Sequence, residues 1–497
     1  MKQREAASLR QTVVSAVGWS TGIKVAFQLV SWVMTLAVIR ILTPDDYGLM
    51  AITQVCINFT AVFADIGLGD ALVQQGNTPE PVAAAVFGVS IVLSAVLTGV
   101  LSLAAYPIAQ CYGDPRLVPL IQAASLGFLC NGLATLPRAY LTKSLRIRPM
   151  FIMELSSGLI GSVVVIVLAC AGCGVWSLML GMLAASVVNL LGFAVLTRDY
   201  FVRPSLDLAL IRPLYSFGAY RTLSVIAWLL FNSADTLIIG CVLGPAELGL
   251  YTVALNFAGM PLNKIAPVLN SVAFPAFAMV QGRPAEARFY AEKATRLMAV
   301  VSVPVFFGMS AVAPEIVDLV FGPKWAAAKP ILAVLSMAIT FRAILLVIPN
   351  YLSGIGDARA SFRCMAFGLL LFPPAFLIGC HWGVEGVCYA WLLGYPVMFA
   401  FAARVASGRG RLDFPTVLAI PLRPVAAGIV MLAAVWGLRP YIPGGAPEAV
   451  RVAMLAAAGA ATYGAVMILA FPTLALEIVA LFARKRATPA AATTRPA

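Results

Sequence analysis

Apolar residues run along this chain in stretches of about twenty, separated by short clusters of charge, proline and glycine. A bilayer core about 30 Å thick takes roughly 20 apolar residues per helix, so each stretch predicts one crossing. Fourteen are read in this way: 13–41, 47–64, 82–111, 117–137, 152–171, 175–197, 214–242, 248–270, 297–314, 327–352, 360–380, 384–403, 417–438 and 449–470. No connection between them exceeds roughly thirty residues. The pattern predicts an all-α integral membrane protein with no sizeable extramembrane domain.

The runs repeat. Ile41-Leu-Thr-Pro-Asp-Asp-Tyr-Gly-Leu-Met50 returns 201 residues later as Val242-Leu-Gly-Pro-Ala-Glu-Leu-Gly-Leu-Tyr251, with four of ten positions identical. Tyr140-Leu-Thr, Arg148 and Phe151 are echoed by Tyr351-Leu-Ser, Arg359 and Phe362 at an offset of 211, and Gly174-Val175 by Gly383-Val384 at 209. Turn residues recur by chance between apolar runs, but three collinear echoes at nearly constant spacing point to duplication. Spans 1–6 then correspond to spans 7–12, and spans 13 and 14 have no counterpart. The expected organisation is an N-terminal six-helix bundle over 1–200, a C-terminal one over 201–410, two further helices over 411–472 and a basic cytoplasmic tail over 473–497.

Charge placement tests the span count, because cytoplasmic loops of membrane proteins collect Lys and Arg. With the N-terminus in the cytoplasm, and residues toward a span end counted with the adjoining segment, 25 of the 34 basic residues fall on the cytoplasmic side, six on the opposite side and three deep inside spans. A missed or invented helix in mid-chain would erase that bias. Both termini are therefore expected in the cytoplasm, and six spans per copy leave the two halves the same way up, as a parallel repeat about an axis along the membrane normal.

Composition agrees: 61% of residues are hydrophobic and 11% charged, far from soluble averages. The net charge of +13 is mostly this topology signal, plus attraction to anionic lipid, and gives no reason to expect nucleic acid. The first apolar run is too long for a cleaved signal and lacks a small-residue cleavage site. Of nine cysteines, only Cys170 and Cys173 form a CxxC; its apolar setting favours packing over metal or redox chemistry. There is no GxxxxGK[ST] loop for nucleotide phosphates. The sole histidine, His381, has no aligned Ser and Asp partners to form a triad. The chain is expected to be neither an enzyme nor dependent on a cofactor or metal.

Candidate chemistry therefore lies inside the spans. A charge at mid-bilayer costs about 2.5–3.5 kcal/mol on insertion scales, so it must face a cavity or a partner. Lys24 and Gln28 share a stripe with Thr21 and Ser31 on span 1; cavity lining is favoured over a structural pair. Span 7 carries Arg221, Ser224, Trp228, Asn232 and Asp235 on one face, and it is the repeat counterpart of span 1. On span 8, Asn256, Asn263 and Asn270 recur every seven residues, with Lys264 beside the second and Pro261 and Pro267 between. Those asparagines suit a cavity or interhelical bonding equally, while the prolines weaken the backbone ladder and mark a candidate hinge. Arg138 and Arg342 add positive charge to spans 4 and 10. Asp65 follows span 2 near a cytoplasmic mouth, where a helix-ending turn also accounts for it. The cations Lys24, Arg138, Arg221, Lys264 and Arg342 outnumber Asp65 and Asp235. A net cationic cavity suits phosphate or carboxylate cargo, the opposite of what an exporter of cations needs.

The segments Ala16-Val-Gly-Trp-Ser, Arg40-Ile-Leu-Thr-Pro-Asp-Asp-Tyr-Gly-Leu and Phe63-Ala-Asp-Ile-Gly-Leu-Gly-Asp-Ala-Leu-Val, with Asn232-Ser-Ala-Asp-Thr-Leu-Ile-Ile-Gly in mid-chain, resemble the Wzx-type polysaccharide transporter family. That family belongs to the multidrug, oligosaccharidyl-lipid and polysaccharide exporter superfamily. The resemblance covers nearly the whole chain and is nearest to the branch serving exopolysaccharides such as xanthan. It implies two six-helix bundles in a V plus two extra helices. It also implies a flippase for undecaprenyl-pyrophosphate-linked oligosaccharide repeat units in the bacterial inner membrane, working by alternating access through a cationic central cavity beside a polymerase and a chain-length regulator. By position, Lys24, Arg138, Arg221, Lys264 and Arg342 become the cavity cations and Asp235 the acid of a helix-seven motif. A drug or metabolite antiporter of the same fold, and a scaffold for a polymerase complex, are the competing readings.

Overall fold

A computed structural model describes residues 30–64, 79–144, 146–200, 202–207, 218–408, 412–442 and 447–472, with the single positions 27, 72 and 210. Every extended element among them is helical. We number them α1 (Val30–Ile41), α2 (Pro44–Ala64), α3 (Glu80–Tyr112), α4 (Leu117–Lys143), α5 (Ile147–Cys170), α6 (Val175–Leu196), α7 (Gly218–Val242), α8 (Pro245–Met279), α9 (Pro284–Ala311), α10 (Ala328–Leu345, continued by Val347–Gly354), α11 (Ala358–Gly379), α12 (Gly383–Ala406), α13 (Leu422–Leu438) and α14 (Glu448–Ala470). Eleven stretches of described helix are long and apolar enough to cross a membrane. One of them, Arg359–Ala406, holds α11 and α12 around a tight turn at Cys380–Trp382.

Local chemistry sets the helix ends. At the start of α2, Thr43 and Asp46 cap each other: the Thr43 N–H donates to Asp46 Oδ2 at 2.9 Å and the Asp46 N–H to Thr43 Oγ1 at 3.4 Å. Pro44 between them occupies a first-turn position where no N–H is needed. Asp357 caps α11 by accepting from the Ala360 N–H at 3.1 Å. Gly113 ends α3 in the left-handed region at φ 67°, a conformation that glycine adopts without strain. Within the spans, hydroxyls such as those of Thr53, Thr60 and Ser336 donate to the carbonyl four residues back, so no hydroxyl hydrogen of theirs is left unpaired in an apolar medium.

The chain divides into two compact units, Met1–Gly249 and Leu250–Ala497. In the first, α3 packs on α4, α5 on α6 and α4 on α6. In the second, the repeat counterparts make the same pairs: α9 on α10, α11 on α12 and α10 on α12. The same helix pairing thus recurs in both units. The sequence repeat begins its second copy at 201, yet α7 packs with the first unit because it lies along α2.

The unpaired helices α13 and α14 have a definite place. They pack on each other and on α9, where Val303, Phe307, Met431, Val435, Leu455 and Tyr463 form one buried cluster. Tyr463 closes it by donating its hydroxyl to the Val300 carbonyl at 3.2 Å. A partly buried ion pair joins Arg439, just beyond α13, to Glu315: Nε to Oε1 at 3.0 Å, while Nη2 also donates to the Ala311 carbonyl at 2.8 Å. Large apolar side chains left on the outside, including Leu103, Val195, Leu370 and Leu393, lie on these apolar helices. In a protein with this many apolar spans they face lipid, not water. The chain is a multi-pass membrane protein.

Candidate functional site

In the first unit the α2–α6 helices enclose a cavity of about 810 Å³, within the roughly 300–1,000 Å³ of small-ligand clefts. Its polar wall comes mainly from three helices. Asn131, Thr135, Arg138 and Thr142 follow on α4 at intervals of four, three and four residues, which places them on one helix face. From α5 come Glu154 and Ser157, and from α6 Ser186 and Asn189, with Ser90 and Ser94 contributed by α3. Phe128, Met150 and Phe193 supply apolar wall.

Small residues bring α5 and α6 together beside this space. A Cβ at Gly161 would stand 2.8 Å from the Gly181 carbonyl oxygen and from the Ala185 Cβ. Backbones meet that closely only where side chains are absent. Ser186 and Asn189 follow within a turn or so of Ala185, so this crossing fixes their distance from α5. On α4, Pro137 has no N–H to give the carbonyl of Leu133, which loosens the ladder immediately before Arg138.

Among the described lining residues the charges balance. Arg138 Nη2 lies 3.0 Å from Glu154 Oε1, with the Arg138 side chain 63% exposed into the space and Glu154 32%. The hydroxyls of Thr135, Thr142, Ser157 and Ser186 each donate back to their own helix, to the carbonyls of Asn131, Arg138, Glu154 and Met182 at 2.9–3.1 Å. What they turn to the cavity is oxygen lone pairs. Asn189 Oδ1 is buried and accepts no hydrogen bond from the described residues.

The other residues expected from sequence are placed as follows. Asn232 and Asp235 lie on α7 and line no part of this cavity. Asn232 Nδ2 donates to the Trp228 carbonyl at 2.8 Å. Asp235 is buried, and its Oδ1 accepts from the Thr236 N–H at 2.7 Å. Asn256, Asn263, Lys264 and Pro267 are exposed on α8 and Pro261 is half-buried there; Arg342 is half-buried on α10. All six belong to the second unit. Lys24, Gln28 and Asp65 fall outside the described residues, as does the side chain of Arg221 on α7.

Glu154, Asn131, Thr135, Ser186 and Asn189 were not singled out by sequence. The rule that flagged Arg138 applies equally to Glu154, an acid inside an apolar run. The one-face spacing on α4 was also legible. Asn189 carries no such signal, since one amide in an apolar helix is ordinary until its neighbours are known.

The fold has solved counterparts. The lipid II flippase MurJ in an inward closed conformation matches 90% of this chain and 98% of its own at a TM-score of 0.69 and 12% identity. Among sequences, the lipopolysaccharide biosynthesis protein WzxC of Escherichia coli K12 is 28% identical over 389 residues, 78% of this chain and 79% of its own. The succinoglycan biosynthesis transport protein ExoT of Rhizobium meliloti is 26% identical over 354 residues, 71% of each chain. The model of the polysaccharide biosynthesis protein family matches residues 37–330. That stretch exceeds half of the chain and contains every helix lining the cavity, so the chain belongs to the polysaccharide biosynthesis protein family.

Proposed function

We propose that this chain is a flippase that carries undecaprenyl-pyrophosphate-linked oligosaccharide repeat units across the bacterial inner membrane for exopolysaccharide assembly. The observation that carries the reading is a polar cavity walled by transmembrane helices, in a chain of this family with no extramembrane domain among its described residues. An enzyme of polymer synthesis would need reactive groups and an aqueous domain to hold them. A carrier needs only a polar place in the membrane for a headgroup, exposed to each face in turn. Relatives named for lipopolysaccharide biosynthesis and succinoglycan transport, and a fold shared with a lipid II flippase, support this cargo.

Within this reading both termini are cytoplasmic. Arg138 is a cargo-facing residue, and Lys24, Gln28, Arg221, Asn232, Asp235, Asn256, Asn263, Lys264 and Arg342 are further candidates on the transport path, with Asp65, Pro261 and Pro267 at its mouth or hinge. A polymerase and a chain-length regulator would take up the delivered units. Deletion in the native host tests the proposal. Surface polymer should disappear and undecaprenyl-linked repeat units should accumulate on the cytoplasmic leaflet, both reversed by the intact gene. Unchanged polymer together with new sensitivity to cationic compounds would replace the flippase with a drug antiporter.

A further inference from the structure

The described lining of the first unit's cavity has a chemistry of its own, and it is a poor match to a pyrophosphate. A pyrophosphate needs cations with charge to spare and hydrogen-bond donors, since its ionised oxygens only accept. The guanidinium of Arg138 is engaged by Glu154 at 3.0 Å, so the pair adds no net charge to the wall. The rest of the described wall mixes the amide donors of Asn131 and Asn189 with a row of acceptors. Glu154 offers carboxylate oxygens. Thr135 and Ser186 have already given their hydrogens to their own helices. Asn189 Oδ1 is a buried acceptor to which no described residue donates, and a buried acceptor left unmet costs about 1–3 kcal/mol.

A ligand that satisfies such a wall must bring many donors and little charge. Sugar rings do: each free hydroxyl donates one hydrogen, and vicinal hydroxyls match the paired atoms of a carboxylate, a guanidinium or an amide. The apolar patches of Phe128, Met150 and Phe193 give the C–H faces of the rings something to lie against. A volume of about 810 Å³ leaves room for more than one ring. We infer that this cavity is a glycan subsite, in which Asn131, Arg138, Glu154 and Asn189 bind the sugar portion of the cargo while the pyrophosphate is held elsewhere. The inference rests on the flippase reading and adds to it which part of the cargo meets which helices.

The test compares two probes on the purified full-length protein in lipid nanodiscs: undecaprenyl pyrophosphate, and the same lipid carrying one glucose. Wild-type protein should bind both and favour the glucosylated lipid. Asn189→Leu, which keeps the volume and removes the acceptor, should reduce that preference about tenfold while leaving the bare lipid unaffected. Retained binding of the bare lipid shows that the variant is folded. Glu154→Gln should free Arg138, strengthening the bare lipid and weakening the preference together, a shift that loss of packing alone would not produce. Equal weakening of both probes would make the cavity a pyrophosphate site and overturn the inference while leaving the flippase intact. Unchanged binding of both would also overturn it. Failure of the wild type to bind either probe would sink the flippase reading and the subsite with it.

Discussion

Gly48 on α2 lies directly against the backbone of Pro245 on α8, so that a Cβ at Gly48 would overlap the Pro245 carbonyl oxygen. The relationship is reciprocal. A Cβ at Gly249 would overlap the carbonyl of Pro44. These are the proline and glycine of the two copies of the repeated decamer, each glycine seated on the other copy's proline turn. Gly48→Ala and Gly249→Ala should each lower the thermal stability of the detergent-solubilised protein by several degrees, from overpacking of about 1–3 kcal/mol. Gly99→Ala, with nothing within 4 Å of its added carbon, is the control and should leave the melting temperature in place.

In the second unit, the indole Nε1 of Trp391 donates to the Tyr251 hydroxyl at 2.7 Å inside a buried aromatic cluster with Phe372, Phe376 and Tyr395. Tyr251→Phe leaves a buried indole N–H without its acceptor and should cost about 1–3 kcal/mol. Adding Trp391→Phe removes the orphaned donor. The double variant should therefore lose less than the sum of the singles, as a denaturation cycle will show; strict additivity would mean that the bond contributes nothing.

The Arg439–Glu315 pair ties the polypeptide after α13 to the short helical turn Ala313–Ile316 that follows α9. Glu315 is only 5% exposed at its side chain and Arg439 31%. Arg439→Ala strands a buried carboxylate, and breaking such a pair costs up to about 3–5 kcal/mol, here reduced by the partial exposure of the arginine. Limited proteolysis should cut first between α13 and α14 in this variant. Arg439→Ala with Glu315→Leu should recover most of the resistance, since both charges are then gone.

Acid should loosen the α3–α4 loop. Arg116 donates to Asp114 through Nε and Nη2 and reaches Asp45 on α2 through Nη1 at 2.6 Å. Those bonds from Arg116 hold the Asp114 carboxyl below its ordinary value of 3.8. The folded pKa is lower than the unfolded one, so the contribution is complete above about pH 4 and is lost as pH falls through the folded value. With Arg116 more than half exposed, it amounts to less than about 1 kcal/mol. Asp114→Asn should be slightly less stable than wild type at pH 7, and the gap should narrow as pH falls below about 4. A difference that widens in acid would contradict the assignment.

The fold was largely legible because its signals are local. Twenty apolar residues in a row predict a crossing whatever surrounds them, and Thr43-Pro-Asp-Asp46 announces a helix start by itself. The repeat was legible because turn residues keep their identity where backbone geometry demands it. The candidate site was legible in part. Arg138 stood out as a charge in an apolar run, but its partner did not. Glu154, sixteen residues on, cancels that charge only because α4 and α5 bring the two side chains together.

The sequence by itself determined the apolar helices and their order, since hydrophobic length, capping and residue identity are properties of short segments. Tertiary structure alone decided which charges meet. It placed Glu154 against Arg138, left Asn189 Oδ1 without a donor, seated Gly48 on Pro245 and set α13 and α14 on α9. Each of those outcomes depends on distances between residues far apart in the chain. Hydrogen bonds and ion pairs decay within a few ångströms, so no pattern along one helix can reveal them.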